Sequence, residues 1–72
     1  MIKKKQRVVI VDDHPMFRER LSQLINHEID MEVCGEAGDA QQGIRLILDT
    51  SPNLAIVDTS LFGGFATESR AA

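Results

Sequence analysis

Two carboxylates, Asp12 and Asp13, stand side by side where the apolar run Val8 to Val11 ends, and a third, Asp58, closes a second run, Leu54 to Val57. If both runs are neighbouring parallel strands, the three acids meet at one edge of a sheet. That edge lies beyond the carboxyl ends of the strands, where open α/β sheets bind ligands. Three like charges held so closely repel one another and should raise at least one carboxyl pKa. A hard divalent cation relieves the repulsion. Mg²⁺ suits such a pocket because it takes one or two carboxylates, keeps several waters and leaves room for phosphate oxygens. A carboxylate left over can attack phosphorus and form an acyl phosphate, with Mg²⁺ neutralising charge on the transferred group. The bland alternative for Asp12 and Asp13 is a turn followed by a helix cap. A second strand that also ends in Asp, at the matching topological place, favours the site.

The elements that must position these acids are legible in the hydrophobic pattern. Arg7 to Asp12 is a continuous β-branched run without alternation, which predicts a buried parallel strand. Pro15 takes a first helical position, and Phe17, Leu21, Leu24 and Ile25 make one apolar stripe, so a helix is expected from about Pro15 to His27. Met31 to Ala37 alternates and predicts a half-exposed edge strand. Asp39 can cap a second helix with Gln42 at the capping-box position; its expected inner stripe is Ala40, Ile44, Ile47 and Leu48, with Gly43 a small penalty inside it. Thr50 to Asn53 turns the chain into the third strand, Leu54 to Asp58. Strands alternating with helices of this length imply right-handed crossovers and a parallel sheet.

A chain of 72 residues holds one small domain. Its net charge is -3, although Lys3, Lys4, Lys5 and Arg7 crowd the amino end, so the remainder is acidic. The basic arm is a solvated lead-in to the first strand; nucleic-acid binding is the distant alternative. The single cysteine, Cys34, excludes an internal disulfide and reads as a small buried hydrophobe. No run is long enough for a signal core or a membrane span, and a cytoplasmic protein is expected. No Gly-rich turn follows the first strand, which argues against dinucleotide binding. His14 flanks the first helix close to the acids, where it can tune them. His27 sits at a helix end that favours positive charge. Met16 and Met31 read as packing residues.

Three segments carry a family resemblance: VVIVDDHPMFR from Val8, VCGEAGD from Val33 and PNLAIVD from Pro52. Together they resemble a bacterial response-regulator receiver domain, nearest to the LuxR/NarL-like subfamily, over about residues 6–61. The resemblance implies a flavodoxin-like (CheY-like) three-layer α/β sandwich with parallel strands in the order 2-1-3. It also implies that Asp58 is the phosphoacceptor, that Asp13 ligates Mg²⁺ directly and Asp12 through water, and that the Ser60 carbonyl is a further metal ligand. The implied partner is a sensor histidine kinase that donates the phosphoryl group; the receiver is a phosphoacceptor and not an enzyme on a separate substrate.

The family pattern has five strands, and this sequence reads as βαβαβ, lacking strands 4 and 5. The expected organisation is a truncated receiver over residues 1–61 and an irregular or partly helical tail over residues 62–72. The hydroxyl and lysine residues that relatives place at the fourth and fifth strand ends have no counterpart here, and no DNA-binding output domain follows. Leu61 to Ala66 fits the family loop loosely. These departures predict impaired phosphorylation and switching. They also leave the third strand with an unpaired edge, from which a homodimer, third strand against third strand, is expected. The competing readings are an interaction module without phosphotransfer, pairing through that edge, and a fragment without function.

Overall fold

The computed structural model describes residues 4–62. Strand β1 (Gln6–Val11) leads into helix α1 (Pro15–His27), strand β2 (Met31–Ala37), helix α2 (Ala40–Thr50) and strand β3 (Leu54–Val57), and a short 3-10 helix (Thr59–Phe62) follows. The strands form one parallel sheet in the order β2-β1-β3. The expected irregular or partly helical tail over residues 62–72 lies outside the described residues apart from Phe62. No helix among the described residues is long and apolar enough to cross a membrane.

The order follows from chirality. The step from β1 to β2 moves one way along the sheet, and the step from β2 to β3 crosses back over β1. Two right-handed crossovers running in opposite directions place their helices on opposite faces. Alternate β1 residues therefore serve different layers. Val8 and Ile10 pack with Leu21 and Ile25 of α1, and with Met31, Val33 and Ile56. Val9 and Val11 pack with Leu46 and Ile47 of α2, and with Cys34, Ala37, Val57 and Leu61. All four β1 residues are fully buried, which explains why that run shows no alternation.

Two expectations about the helices need correction. Phe17 and Leu24 are 53% and 60% exposed, and Ile44 and Leu48 are 50% and 74% exposed. The α1 surface on the sheet is instead centred on Leu21, Ser22 and Ile25. That centre is displaced from the apolar stripe by about 60°, a sixth of a turn, at 100° per residue. The α2 surface is similarly turned toward Gly43, Leu46 and Ile47. Gly43 is a requirement of packing and not merely a propensity loss. A Cβ there would lie 2.6 Å from Val11 Cγ1, so the helix backbone rests directly on β1. Gly35 does the same for Leu46, whose methyls would be 2.9 Å from an added Cβ.

Local features match the sequence in part. Asp39 Oδ1 accepts from the Gln42 backbone N–H at 2.7 Å and caps α2. Beta2 is an edge strand whose register jumps from Val8↔Val33 to Val9↔Gly35, leaving Cys34 as the extra residue of a bulge. Cys34 is only partly buried there. Ser51 ends α2 in the left-handed region, at φ 48°.

Candidate functional site

Beta1 and β3 pair up to Val11↔Val57, so Asp12 and Asp58 emerge side by side where the ladder ends. The Asp58 N–H still donates to the Val11 carbonyl at 2.9 Å, and the Asp12 N–H donates to Ala37 on the other side at 3.0 Å. These bonds fix both backbones at the sheet rim. The connection from β1 leaves toward β2 while β3 flanks β1 on its other side, and this rim lies beyond the carboxyl ends of the strands, where α/β sheets open a crevice. A groove of about 740 Å³ occupies it, running from the acids down to Ile10, Met16, Phe17 and Ile56.

The structure brings Asp12, Asp13 and Asp58 together as the sequence predicted, and adds His14. One ligand atom from each of the four lies within 4.8 Å of the others. Asp12 is 7% exposed, whereas the Asp13 and His14 side chains are about half and two-thirds exposed. Asp12 Oδ1 accepts from the His14 backbone N–H at 2.8 Å, closing an Asx turn that starts α1. The same oxygen lies 2.7 Å from His14 Nδ1, and Asp13 Oδ1 lies 2.9 Å from it. Asp58 Oδ2 stands 4.0 Å from the ring. The other Asp58 oxygen, Oδ1, accepts from the Ser60 N–H at 3.0 Å and from the Ser60 hydroxyl at 2.8 Å. These are donor contacts from Ser60, a role its sequence position did not suggest.

Charge in the pocket follows this geometry. Repulsion alone predicted a raised carboxyl, yet Asp12 moves the other way. Burial pushes its pKa up, but hydrogen bonds from the His14 backbone and ring, with the positive charges of His14 and Arg18, outweigh burial and hold it below the usual carboxylate range. The His14 imidazole is pushed up, first by its bond to Asp12 and then by the charges of Asp13 and Asp12, against partial burial, with Asp58 adding a little. His14 is thus placed to neutralise the acids when its ring is protonated. The sequence signal for it was present: it sits two residues after Asp12, at Asx-turn spacing, and just before a Pro that fixes the helix start. His14 was expected beside the acids; Arg18 was missed. It lies off the apolar stripe but on the sheet-facing surface, where Nη1 donates to the Asp12 carbonyl at 2.6 Å.

The donor set fits Mg²⁺. Three carboxylates supply hard oxygens, one of them deeply seated and two accessible, with open space beside them for phosphate oxygens. Asp12, Asp13 and Asp58 are the residues that would hold the ion, and it would compete with the His14 ring for the same oxygens.

A parallel sheet in the order 2-1-3, helices on both faces and acids at the carboxyl ends of β1 and β3 define a flavodoxin-like α/β protein with an acidic crevice. Residues 8–64 match the family model of the response regulator receiver domain. The chain belongs to that family, the receiver domains of two-component response regulators. It is 39% identical over 57 residues to the transcriptional regulatory protein LiaR of Bacillus subtilis (strain 168), covering 79% of this chain and 27% of that one. It is also 39% identical over 56 residues to the nitrate/nitrite response regulator protein NarL of Escherichia coli (strain K12), covering 78% of this chain and 26% of that one. Among solved structures, a LuxR-family two-component response regulator from Aurantimonas sp. SI85-9A1 superposes with a TM-score of 0.68 at 36% identity, over 72% of this chain and 37% of that one. The chain therefore spans about a quarter of the length of these curated relatives.

Proposed function

We propose that this chain is a phosphoacceptor: Asp12, Asp13 and Asp58 hold Mg²⁺, the Ser60 carbonyl adds a ligand, and Asp58 accepts a phosphoryl group from the phosphohistidine of a sensor kinase in the cytoplasm. The observation that carries the proposal is the convergence of the three acids at the ends of β1 and β3. In the transfer, a carboxylate oxygen of Asp58 forms a bond to phosphorus while the phosphorus–nitrogen bond of the donor breaks, and the departing imidazole takes up a proton. Ser60 holds Asp58 Oδ1 with two donors, which leaves Oδ2 facing the pocket as the attacking atom. Bound Mg²⁺ would neutralise charge on the phosphoryl oxygens. Asp12, buried and ionised, keeps a negative seat for the ion across the neutral pH range. The chain itself is modified and acts on no separate substrate.

Among the described residues that line the groove, His14 is the one whose side chain can take up a positive charge, and it already engages two of the acids. Charge stabilisation of the transferred group is therefore sparse, and transfer is slow. Incubation with a small phosphodonor and Mg²⁺, followed by intact mass measurement, tests this. The expected result is a slow, Mg²⁺-dependent gain of one phosphoryl group that Asp58→Asn abolishes. Rapid stoichiometric gain contradicts the impairment, and gain that survives Asp58→Asn contradicts the acceptor assignment.

A second reading is favoured by one observation. Beta3 is the last strand of the described sheet, Leu54 on it is 47% exposed, and Met16 and Phe17 beside it are 83% and 53% exposed. An apolar, unpaired edge of this kind recruits another strand. Two copies joined β3 to β3 about a two-fold axis would form one continuous sheet and cover the groove. Light scattering at micromolar concentration decides it: a dimer is expected, and a stable monomer refutes it.

A further inference from the structure

We propose that Arg18 is a positioning residue for the acidic pocket, setting the direction of the Asp13 carboxylate by fixing the peptide plane between Asp12 and Asp13. This rests on the Mg²⁺-binding reading of the pocket above.

The Asp12 carbonyl and the Asp13 N–H belong to one planar unit. Arg18 Nη1 donates to that carbonyl at 2.6 Å. On the preceding unit, the Asp12 N–H donates to Ala37. The backbone at Asp12 is thus held from β2 on one side and from α1 on the other. Asp13 lacks such support of its own. Its side chain is half exposed, and its carboxylate meets the His14 ring among the described residues. What aims Asp13 into the pocket is the orientation of the peptide before it, and Arg18 holds that peptide.

Arg18 is itself held. Its side chain is 22% exposed, and its buried Nε, which makes no hydrogen bond, lies 3.5 Å from Glu36 Oε1 on β2 as a charge contact. Glu36 Oε2 accepts from the Ser22 hydroxyl one helical turn further along α1, at 2.7 Å. Gly38 makes room for the guanidinium: a Cβ there would stand 3.3 Å from Nη1. Helix, strand and glycine together leave the fork one direction to point. Support of this kind around metal ligands sets affinity through orientation.

The sign of the effect separates positioning from charge. Arg18 is a cation near a cation site, so by Coulomb's law alone its removal would tighten Mg²⁺ binding. Positioning predicts the reverse. A role confined to holding α1 on β2 predicts a loss of stability with unchanged affinity.

The experiment uses the full chain. Mg²⁺ affinity is measured by calorimetry for wild type, Asp13→Asn, Arg18→Gln, Arg18→Lys and Glu36→Gln, alongside urea midpoints and the Asp13 amide resonance without metal. Arg18→Gln is expected to weaken Mg²⁺ binding on the order of tenfold, the lower end for a residue behind the ligands, and to move the Asp13 amide. Arg18→Lys keeps the charge and does not restore affinity. Glu36→Gln keeps the bond to the Asp12 carbonyl and weakens binding less. If Arg18→Gln does not fold, Gly38→Ala, which crowds the same guanidinium, is expected to weaken binding instead. Equal or tighter Mg²⁺ binding by Arg18→Gln, with an unmoved Asp13 amide, overturns the positioning role. Equal Mg²⁺ binding by wild type and Asp13→Asn overturns the pocket reading itself, and this inference with it.

Discussion

Replacing Gly43 by alanine sets two opposed effects against each other, and the structure decides between them. In an exposed helix interior the change would stabilise by about 1 kcal/mol, the propensity gap between the two residues. Here the new methyl carbon would lie 2.6 Å and 2.9 Å from the two Val11 γ-carbons. Carbon atoms at rest sit about 3.5–4 Å apart, so roughly 1 Å must be found. Val11 cannot yield it easily. It is fully buried, paired on both sides to Ala37 and Val57, and β-branched, so its χ1 is stiff. The helix must lift off the sheet instead, loosening Leu46 and Ile47. Overpacking of this kind costs about 1–3 kcal/mol, and the position of Val11 argues for the upper half. The net expectation is a loss of about 1–2 kcal/mol. For 72 residues total stability is roughly 4–11 kcal/mol, so the loss is plain in urea denaturation as a lower midpoint with an unchanged slope. Gln41→Ala, on the exposed face of the same helix, is the control and should change little. A Gly43→Ala protein as stable as wild type would mean that α2 does not sit on β1 as described. Because Val11 precedes Asp12, the variant should also weaken Mg²⁺ binding.

Further outcomes follow from the same contacts. His14→Ala should narrow a pH-dependent difference in stability. The raised His14 pKa contributes stability fully present below the ordinary histidine value of about 6.5 and lost as pH rises through the folded value. The lowered Asp12 pKa contributes stability present above about 3.9 and lost as pH falls through the folded value. The gap between wild type and His14→Ala in urea midpoint should therefore be widest between about pH 4 and 6.5 and close above that, and a gap that grows toward pH 9 would contradict the pairing. Ser51→Gly relieves a left-handed serine at φ 48° and should raise stability by up to about 1 kcal/mol, read from the thermal midpoint. Arg7→Ala removes bonds to the Thr50 and Ser51 carbonyls at 2.7 and 3.2 Å, which tie the start of β1 to the end of α2. A loss of about 1 kcal/mol is expected in urea, and no change would show that the tie is idle.

The sequence by itself determined the element order, the parallel sheet and the convergence of Asp12, Asp13 and Asp58. Each of those depends on local signals: a β-branched run ending in acid, Pro15 and Asp39 at helix starts, and crossover handedness that leaves few ways to close the sheet. The tertiary structure decided what periodicity does not encode, namely which side of an apolar helix meets the sheet. Phe17, Leu24, Ile44 and Leu48 carry the apolar pattern, yet Gly43, Leu46 and Ser22 lie against the strands. A glycine can admit the closest backbone approach, and closest approach sets helix rotation more firmly than stripe width does. That rotation also turned Arg18 inward onto the Asp12 carbonyl, and the Asx turn at Asp12 carried His14 into the centre of the acids. A charged residue's partner lies across space, and spacing along one helix does not reveal it.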